Sequence, residues 1–266
     1  MGKGCGEAQH RARVKRVERS LDTSSGRLAV VSDVHGNLAA LEAVVADLRD
    51  VAPDLVVHAG DVAALGPRPA EVVDRVRELG WPSVVGNTDE MLWDDAVEAG
   101  QRSQAPKLRS WLDVLFGVLA PWARERLGDE RLGWLSSLPR EHTQAGVRVL
   151  HASPHDLWRA PMPEAGDQKL QDTYRAAGVT MAVYGHIHRP YVRTLDGLTV
   201  ANSGSVGLPW DGDWRPSYLL LDGGRPSVRR VAYDVERERR DLSDSDFPLA
   251  DWLERVQRSG TFTRPA

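Results

Sequence analysis

The strongest constraint on this chain is an alternation of short apolar runs with amphipathic stretches between residues 28 and 85. LAVVS at 28–32 is apolar and β-branched, and Asp33 follows it. NLAALEAVVADL at 37–48 then sets Leu38, Leu41, Val44, Val45 and Leu48 on one helical face. LVVHAG (55–60) reads as a second strand, AEVVDRVREL (70–79) as a second helix and PSVV (82–85) as a third strand. Strands that alternate with helices predict βαβ units and a parallel sheet.

After residue 92 the pattern changes. Residues 92–140 read as helical throughout, with Trp93, Trp111, Leu112, Leu115, Phe116, Leu119 and Trp122 spaced for packing, and form an expected helical insertion. Its tryptophans are assigned to the core ahead of a lid or subunit face, since large aromatics serve burial first. From VRVLH (147–151) strands dominate: TMAVYG, YVRTL, LTVAN, SYLLLD and SVRRVAY. Their hairpin-like spacing predicts a mixed or antiparallel second sheet. Three regions result: a flexible basic arm at 1–26, a main domain at 27–235, and a charged segment at 236–266 with an amphipathic helix at DFPLADWLERV.

Composition narrows the function classes. With 266 residues and 41% hydrophobic content, the chain can bury one large core or two modest ones. A net charge of −4 and a pI of about 6.1 provide no basic field for a stable nucleic-acid partner or an anionic membrane. No apolar run approaches the roughly 20 residues that cross a bilayer. The basic start lacks the apolar stretch of a secretory signal. Cys5, the single cysteine, has no internal partner, in keeping with a reducing compartment. A cytoplasmic protein is expected, and the sequence assigns no oligomeric state.

Five strand-end segments carry ligand-type residues. Asp33 and His35 lie in SDVHGN, Asp61 in HAGDV, Asn87 in VVGNTDEM, His151 in LHASPHD, and His186 and His188 in YGHIHRP. Each segment follows an apolar run, and the carboxyl ends of strands in an open sheet lie along one edge, where ligands bind. Spacing of i, i+2 in extended chain would send both members of each pair toward one centre. Asn87, Thr88 and Asp89 are also good helix caps, so Asn-Thr-Asp has a purely structural reading as well. Singly, each histidine or aspartate is ordinary; jointly, seven oxygen and nitrogen donors are not. A set without thiolate suits borderline-hard divalent ions such as manganese, iron, cobalt, nickel or zinc, of which manganese is the expected one once the resemblance below is taken into account. Seven donors exceed one tetrahedral ion, and two ions sharing a carboxylate is the economical arrangement.

The order D-x-H, G-D, G-N-x-D, H and G-H-x-H resembles the calcineurin-like metallophosphoesterases. SDVHGNLAALEAV, the GP after HAGDVAAL and NSGSVGLPWDGDWRPSY resemble a bacterial and archaeal subgroup of predicted phosphodiesterases. The likeness covers residues 28–235. It implies an α/β fold: a four-layer αββα sandwich with two central mixed β-sheets flanked by helices, plus the helical insertion. It further implies that Asp33, His35 and His188 hold one ion, Asn87, His151 and His186 a second, and that Asp61 bridges them. Two divalent ions bring four positive charges and Asp33 and Asp61 offset two. The remainder suits a bridging hydroxide and a phosphodiester monoanion.

Two departures stand out. Relatives commonly read G-N-H-D/E, whereas Thr88 occupies the histidine position here and its hydroxyl is no general acid near neutral pH. His155, four residues after His151, is either a substitute acid or a plain loop histidine. Asp61, Asn87 and His155 are thus the expected catalytic residues, and Asn37, Thr88 and His155 the candidate substrate contacts. Ser203 stands where relatives usually carry proline and is expected to loosen that loop. The expected activity is hydrolysis of a small phosphodiester or nucleotide, 2′,3′-cyclic nucleotides included, by attack of a metal-bridging hydroxide. A phosphomonoesterase and a non-catalytic metal-binding scaffold, the role of the retromer subunit of this fold, are the alternatives.

Overall fold

The computed structural model describes residues 26–265, so the expected N-terminal arm lies outside the described residues except for Gly26. β1 (Arg27–Val31) and β2 (Leu55–His58) pair in parallel across α1 (Leu38–Val51), as the alternation predicts. α2 (Pro69–Leu79) follows, with Pro69 at its first turn and Gly80 ending it in the left-handed conformation. The expected third strand at 82–85 is instead an extended segment with one bridge, His58 to Ser83. Pro82 lacks an N–H, and Val85 turns away to donate to Pro139, so a ladder never propagates.

Sheet one has the order β2-β1-β8-β9, closed by the hairpin of β8 (Ser217–Asp222) and β9 (Arg225–Arg230). That hairpin was expected in the second sheet with its sequence neighbours; it lies antiparallel to β1 instead. Sheet two contains β3 (Glu141–Gln144), β4 (Val147–Leu150), β5 (Met181–Tyr184), β6 (Tyr191–Leu195) and β7 (Leu198–Asn202). Its order is β3-β4-β5-β7-β6, with β4, β5 and β7 parallel and the two edges antiparallel. The sheet is therefore mixed. β3 went unread because EHTQ is a polar edge strand without an apolar run.

Period-two alternation builds four layers. Leu28 and Val30 of β1 and Leu219 and Leu221 of β8 meet Val147, Val149, Met181 and Val183 of sheet two between the sheets. Ala29, Val31, Tyr218 and Leu220 point the other way, against α1 and α2. On the far side, Leu150, Ala182, Tyr184 and Val200 pack on Leu170 and Tyr174 of α7 (Asp167–Tyr174). Strands covered on both faces are the reason their sequences read as continuous apolar runs.

The short α3 (Asn87–Glu90) precedes the insertion, which is helical, with α4 (Asp95–Gln104), α5 (Arg109–Val114) and α6 (Ala120–Ser136), the last two joined by a wider helical turn at Leu115–Leu119. Leu112, Leu115, Phe116, Leu119 and Leu127 enter the helical-side core, while Trp93, Trp111 and Trp122 pack half-buried at its margin. α8 (Val235–Asp244) and α9 (Ala250–Ser259) add Leu242, Trp252, Leu253 and Val256 to the same core. Among the described residues no helix is long and apolar enough to cross a membrane.

Candidate metal centre

The loops after β1, β2, β4 and β5 carry the ligand-type residues, but not in extended backbone. Asp33, His35, Asp61, His186 and His188 have φ of 56°, 48°, 59°, 65° and 53°. These five are among eight non-glycine positions with positive φ in the described residues. That region is uncommon for residues with a Cβ and stores about 1–3 kcal/mol each, as functional sites often do. Contrary to expectation, the i, i+2 pairs are therefore not in extended chain. Left-handed turns, not a shared strand face, aim these side chains. Asp33 and His35 stay together, but the second pair divides: His188 lies against Asp33 and His35, whereas His186 lies against Asn87.

Donor chemistry decides whether the cluster fits a cation. Nδ1 of His35 donates to the Ala64 carbonyl at 2.8 Å, and Nδ1 of His188 to the Leu208 carbonyl at 2.6 Å. Burial holds the two imidazoles neutral, lowering His35 to about 3 and His188 to about 4. Each neutral ring has one proton, already placed on Nδ1. Their Nε2 atoms are nevertheless 3.1 Å apart, and Nε2 of His188 is 3.1 Å from Asp33 Oδ1. Acceptors converge with no proton between them, an arrangement that a divalent cation satisfies. One ligand atom from each of Asp33, His35, Asp61 and His188 lies within 4.8 Å of all the others, and all four residues are buried.

A second group adjoins it. Nδ1 of His151 donates to the Ala59 carbonyl at 2.9 Å, leaving Nε2 as an acceptor 2.8 Å from Asn87 Oδ1. Nδ1 of His186 is also 2.8 Å from that oxygen. Turning the Asn87 amide over would supply donors to both rings, so the diagnosis of a cation rests on His35 and His188. Asp61 lies between the groups, its Oδ2 3.6 Å from His35 Nε2 and 3.5 Å from His151 Nε2. Burial raises Asp33 and Asp61 to about 6, and a neighbouring cation acts in the opposite direction.

Backbone groups fix both carboxylates. The His186 N–H donates to Asp33, and the Thr88 N–H donates to Asp61 Oδ1 at 2.9 Å. A Cβ on Gly86 would stand 2.0 Å from that Asp61 oxygen, and one on Gly185 2.4 Å from Asp33 Oδ2, so both motif glycines are required by close approach. Asp89, the carboxylate of the G-N-x-D motif and an expected cap, has a wider set of partners. It does cap the Gly86 N–H, and it also accepts from the N–H groups of Asp61 and Val62 at 2.9 and 3.0 Å. Burial, reinforced by Asp61, raises its carboxyl to about 7. Asn87 thus faces both imidazoles while Asp89 caps the same turn.

The remaining candidates fall elsewhere. Asn37 is buried and spends its side chain capping Ala40 N–H at 2.9 Å and donating to the Gly207 carbonyl, outside the cleft lining. His155 is exposed in the turn between Ser153 and Asp156 and does not line the cleft either. Thr88 does line it. Ser203 does not loosen its loop. Its N–H donates to the Tyr184 carbonyl at 3.0 Å and its hydroxyl pairs with Ser32 at 2.7 Å, bonds a proline would lack. Sequence reasoning also missed Trp210, stacked on His188 with ring centroids 3.8 Å apart, and His58, buried with Nε2 unpartnered.

Above the cluster opens a cleft of about 610 Å³, a size that takes a whole small molecule. Asp61, Asn87 and His188 reach it from below, the insertion supplies Trp111, and residues beyond α9 supply Phe262.

Comparison with known proteins agrees with this geometry. Residues 27–224 match the calcineurin-like phosphoesterase superfamily domain. An uncharacterized protein of Methanocaldococcus jannaschii is 28% identical over 251 residues, 85% of this chain and 95% of its own. The crystal structure of a metallophosphoesterase from Sphaerobacter thermophilus superposes with a TM-score of 0.71 at 27% identity, covering 89% of this chain and 100% of that one. A hypothetical protein of Pyrococcus horikoshii OT3 shares the fold, with a TM-score of 0.74 at 19% identity and coverage of 89% and 99%. With its two central mixed sheets and a candidate divalent-metal cluster at their strand ends, the chain belongs to the calcineurin-like phosphoesterase superfamily.

Proposed function

We propose that this protein is a cytoplasmic phosphodiesterase using two divalent ions, manganese foremost, to hydrolyse small phosphodiesters. The observation that carries the reading is the pair of proton-free Nε2 atoms of His35 and His188 beside Asp33, below a cleft open to a small molecule. Asp33, His35 and His188 would hold one ion, Asn87, His151 and His186 the other, and Asp61 would serve both. Bound divalent ions supply Lewis acidity toward phosphoryl oxygens and lower the pKa of water.

The chain's own residues do the positioning. Carbonyls of Ala64, Leu208 and Ala59 fix three imidazole tautomers and keep their Nε2 lone pairs aimed inward. Asp89 holds the Asp61 loop through the N–H groups of Asp61 and Val62 and its own turn through that of Gly86. Thr88, the residue on the usual acid position, offers no strong proton donor, which favours esters whose leaving groups depart unprotonated. 2′,3′-Cyclic nucleotides and aryl diesters fit that description.

Of the three arginines lining the cleft, Arg159 and Arg189 are already paired with Asp156 and Glu164, which leaves only Arg264 without a carboxylate among the described residues and little added charge for a phosphomonoester dianion. This supports the diester reading over the monoester one. The test is metal analysis of the purified protein, then rates on matched aryl mono- and diesters with manganese restored. Faster monoester turnover would reverse the assignment, and absence of turnover with two ions bound would favour the scaffold.

A further inference from the structure

The cleft walls are more particular than phosphoester chemistry requires. Phe262, in the segment after α9, packs against Trp210 at 4.8 Å and Trp111 at 5.4 Å between ring centroids. Trp210 in turn stacks on His188, so an aromatic wall begins directly at the candidate metal ligands and rises toward solvent. The segment carrying Phe262 is anchored. Gly212 N–H donates to the Gly260 carbonyl at 2.8 Å, and Trp252 Nε1 donates to the Thr263 carbonyl at 2.6 Å. It also lies beyond the residues matched by the family domain, which end at 224.

Two polar groups complete the wall. Gln101 of α4 lines the cleft, and its side-chain amide makes no hydrogen bond to another described residue, leaving one donor–acceptor pair for a ligand. Arg264 lines the cleft from its exposed side, and among the described residues its guanidinium hydrogen-bonds only to the Lys107 carbonyl, at 3.4 Å, with no carboxylate paired to it.

We infer that Trp111, Trp210 and Phe262 with Gln101 form a nucleobase subsite, so that the substrate is a nucleoside phosphoester with its phosphate over the metal cluster. Aromatic faces accept the base by stacking, and the Gln101 amide reads a base edge with a donor and an acceptor. Arg264, on the exposed side, is placed for a further anionic group. An acyl chain would use the leucines of the same cleft but would leave the half-buried Gln101 amide without a partner, which disfavours it. The inference rests on the phosphoester reading of the cluster, yet its test does not depend on turnover.

The experiment is calorimetric titration of the manganese-loaded full chain with adenosine 5′-monophosphate, ribose 5-phosphate and decyl phosphate. Adenosine monophosphate should bind at least about tenfold more tightly than ribose 5-phosphate, within the roughly 5- to 150-fold expected for stacking one base. Phe262→Leu, which keeps most of the buried volume, and Gln101→Ala, which disturbs no hydrogen bond among the described residues, should each narrow that gap. Equal affinity for the nucleotide and ribose 5-phosphate would overturn the inference, as would tighter binding of decyl phosphate. Failure of the phosphodiesterase reading appears separately, as absent diester turnover with the base-dependent affinity intact.

Discussion

Nε2 of His35 lies 3.1 Å from Nε2 of His188, and neither nitrogen carries a proton once Ala64 and Leu208 have taken the ones on Nδ1. Removing one of these imidazoles should empty one ion position rather than both. His188→Ala is expected to lower metal content by about one ion per chain, and His186→Ala to weaken the other position, by at least the 10- to 100-fold typical of lost ligand support. Anomalous diffraction from manganese-soaked crystals checks this. Loss of the same peak in both variants would refute the division.

Asp61 and Asp89 separate coordination from support. Asp61→Asn should lower both occupancies and remove most turnover, because its carboxylate adjoins both groups of donors. Asp89→Asn exchanges one acceptor oxygen for a donor facing backbone N–H groups, which costs about 1–3 kcal/mol of stability. Elemental analysis beside denaturant unfolding distinguishes the two. Unchanged stability in the Asp89 variant would show that its three bonds are dispensable.

Thr88→His is expected to recover less than tenfold of the about 10²–10⁴-fold that a general acid contributes. Restoring the relatives' imidazole would seem to let Asp89 orient it, but both Asp89 oxygens are already committed to backbone N–H groups. The parent's rate should therefore depend steeply on leaving-group acidity and the variant's only slightly less so. A series of substituted diesters at saturating manganese measures both slopes.

Ser203→Pro should destabilise by roughly 1–3 kcal/mol, since a proline forfeits the bond to Tyr184 and the pairing with Ser32 in a fully buried position. Thermal denaturation of the two proteins at matched metal content decides it. A rise in melting temperature would mean that the loop accepts the relatives' residue without loss.

Glu238 on α8 gives a pH signature remote from the metal cluster. Burial raises its carboxyl to about 7, reinforced by Asp241 and opposed by its hydrogen bond from Gln257 and by Arg68 and Arg237. The folded chain therefore holds this proton more tightly than the unfolded one. The associated stability is fully present below about 4.5 and is lost as pH rises through about 7, on the order of 3 kcal/mol in all. Glu238→Gln should flatten the fall in melting temperature across that window, and an unaltered slope would rule the group out.

Much of this arrangement was legible in the sequence because ligand-type residues directly follow apolar runs, and strands buried on both faces have to read that way. The left-handed turns at Asp33, His35, Asp61, His186 and His188 were not, since aspartate and histidine tolerate positive φ without announcing it. Nor were the tautomers, which depend on carbonyls of Ala59, Ala64 and Leu208, groups every residue possesses. The Asp89 bonds hid behind an ordinary cap, and the seat of β8 beside β1 depends on which sheet has a free edge, a fact no local window contains.

That seat governs the order in which a growing chain can finish itself. β1 waits beside β2 for a neighbour made almost two hundred residues later, when Leu28 finds Leu221 and Val30 finds Leu219. Contacts of such sequence separation form slowly and leave an unpaired strand exposed in the meantime. A ribosome-bound chain halted after β7 already owns all seven metal-ligand candidates, yet its first sheet is still open at the strand that leads to Asp33.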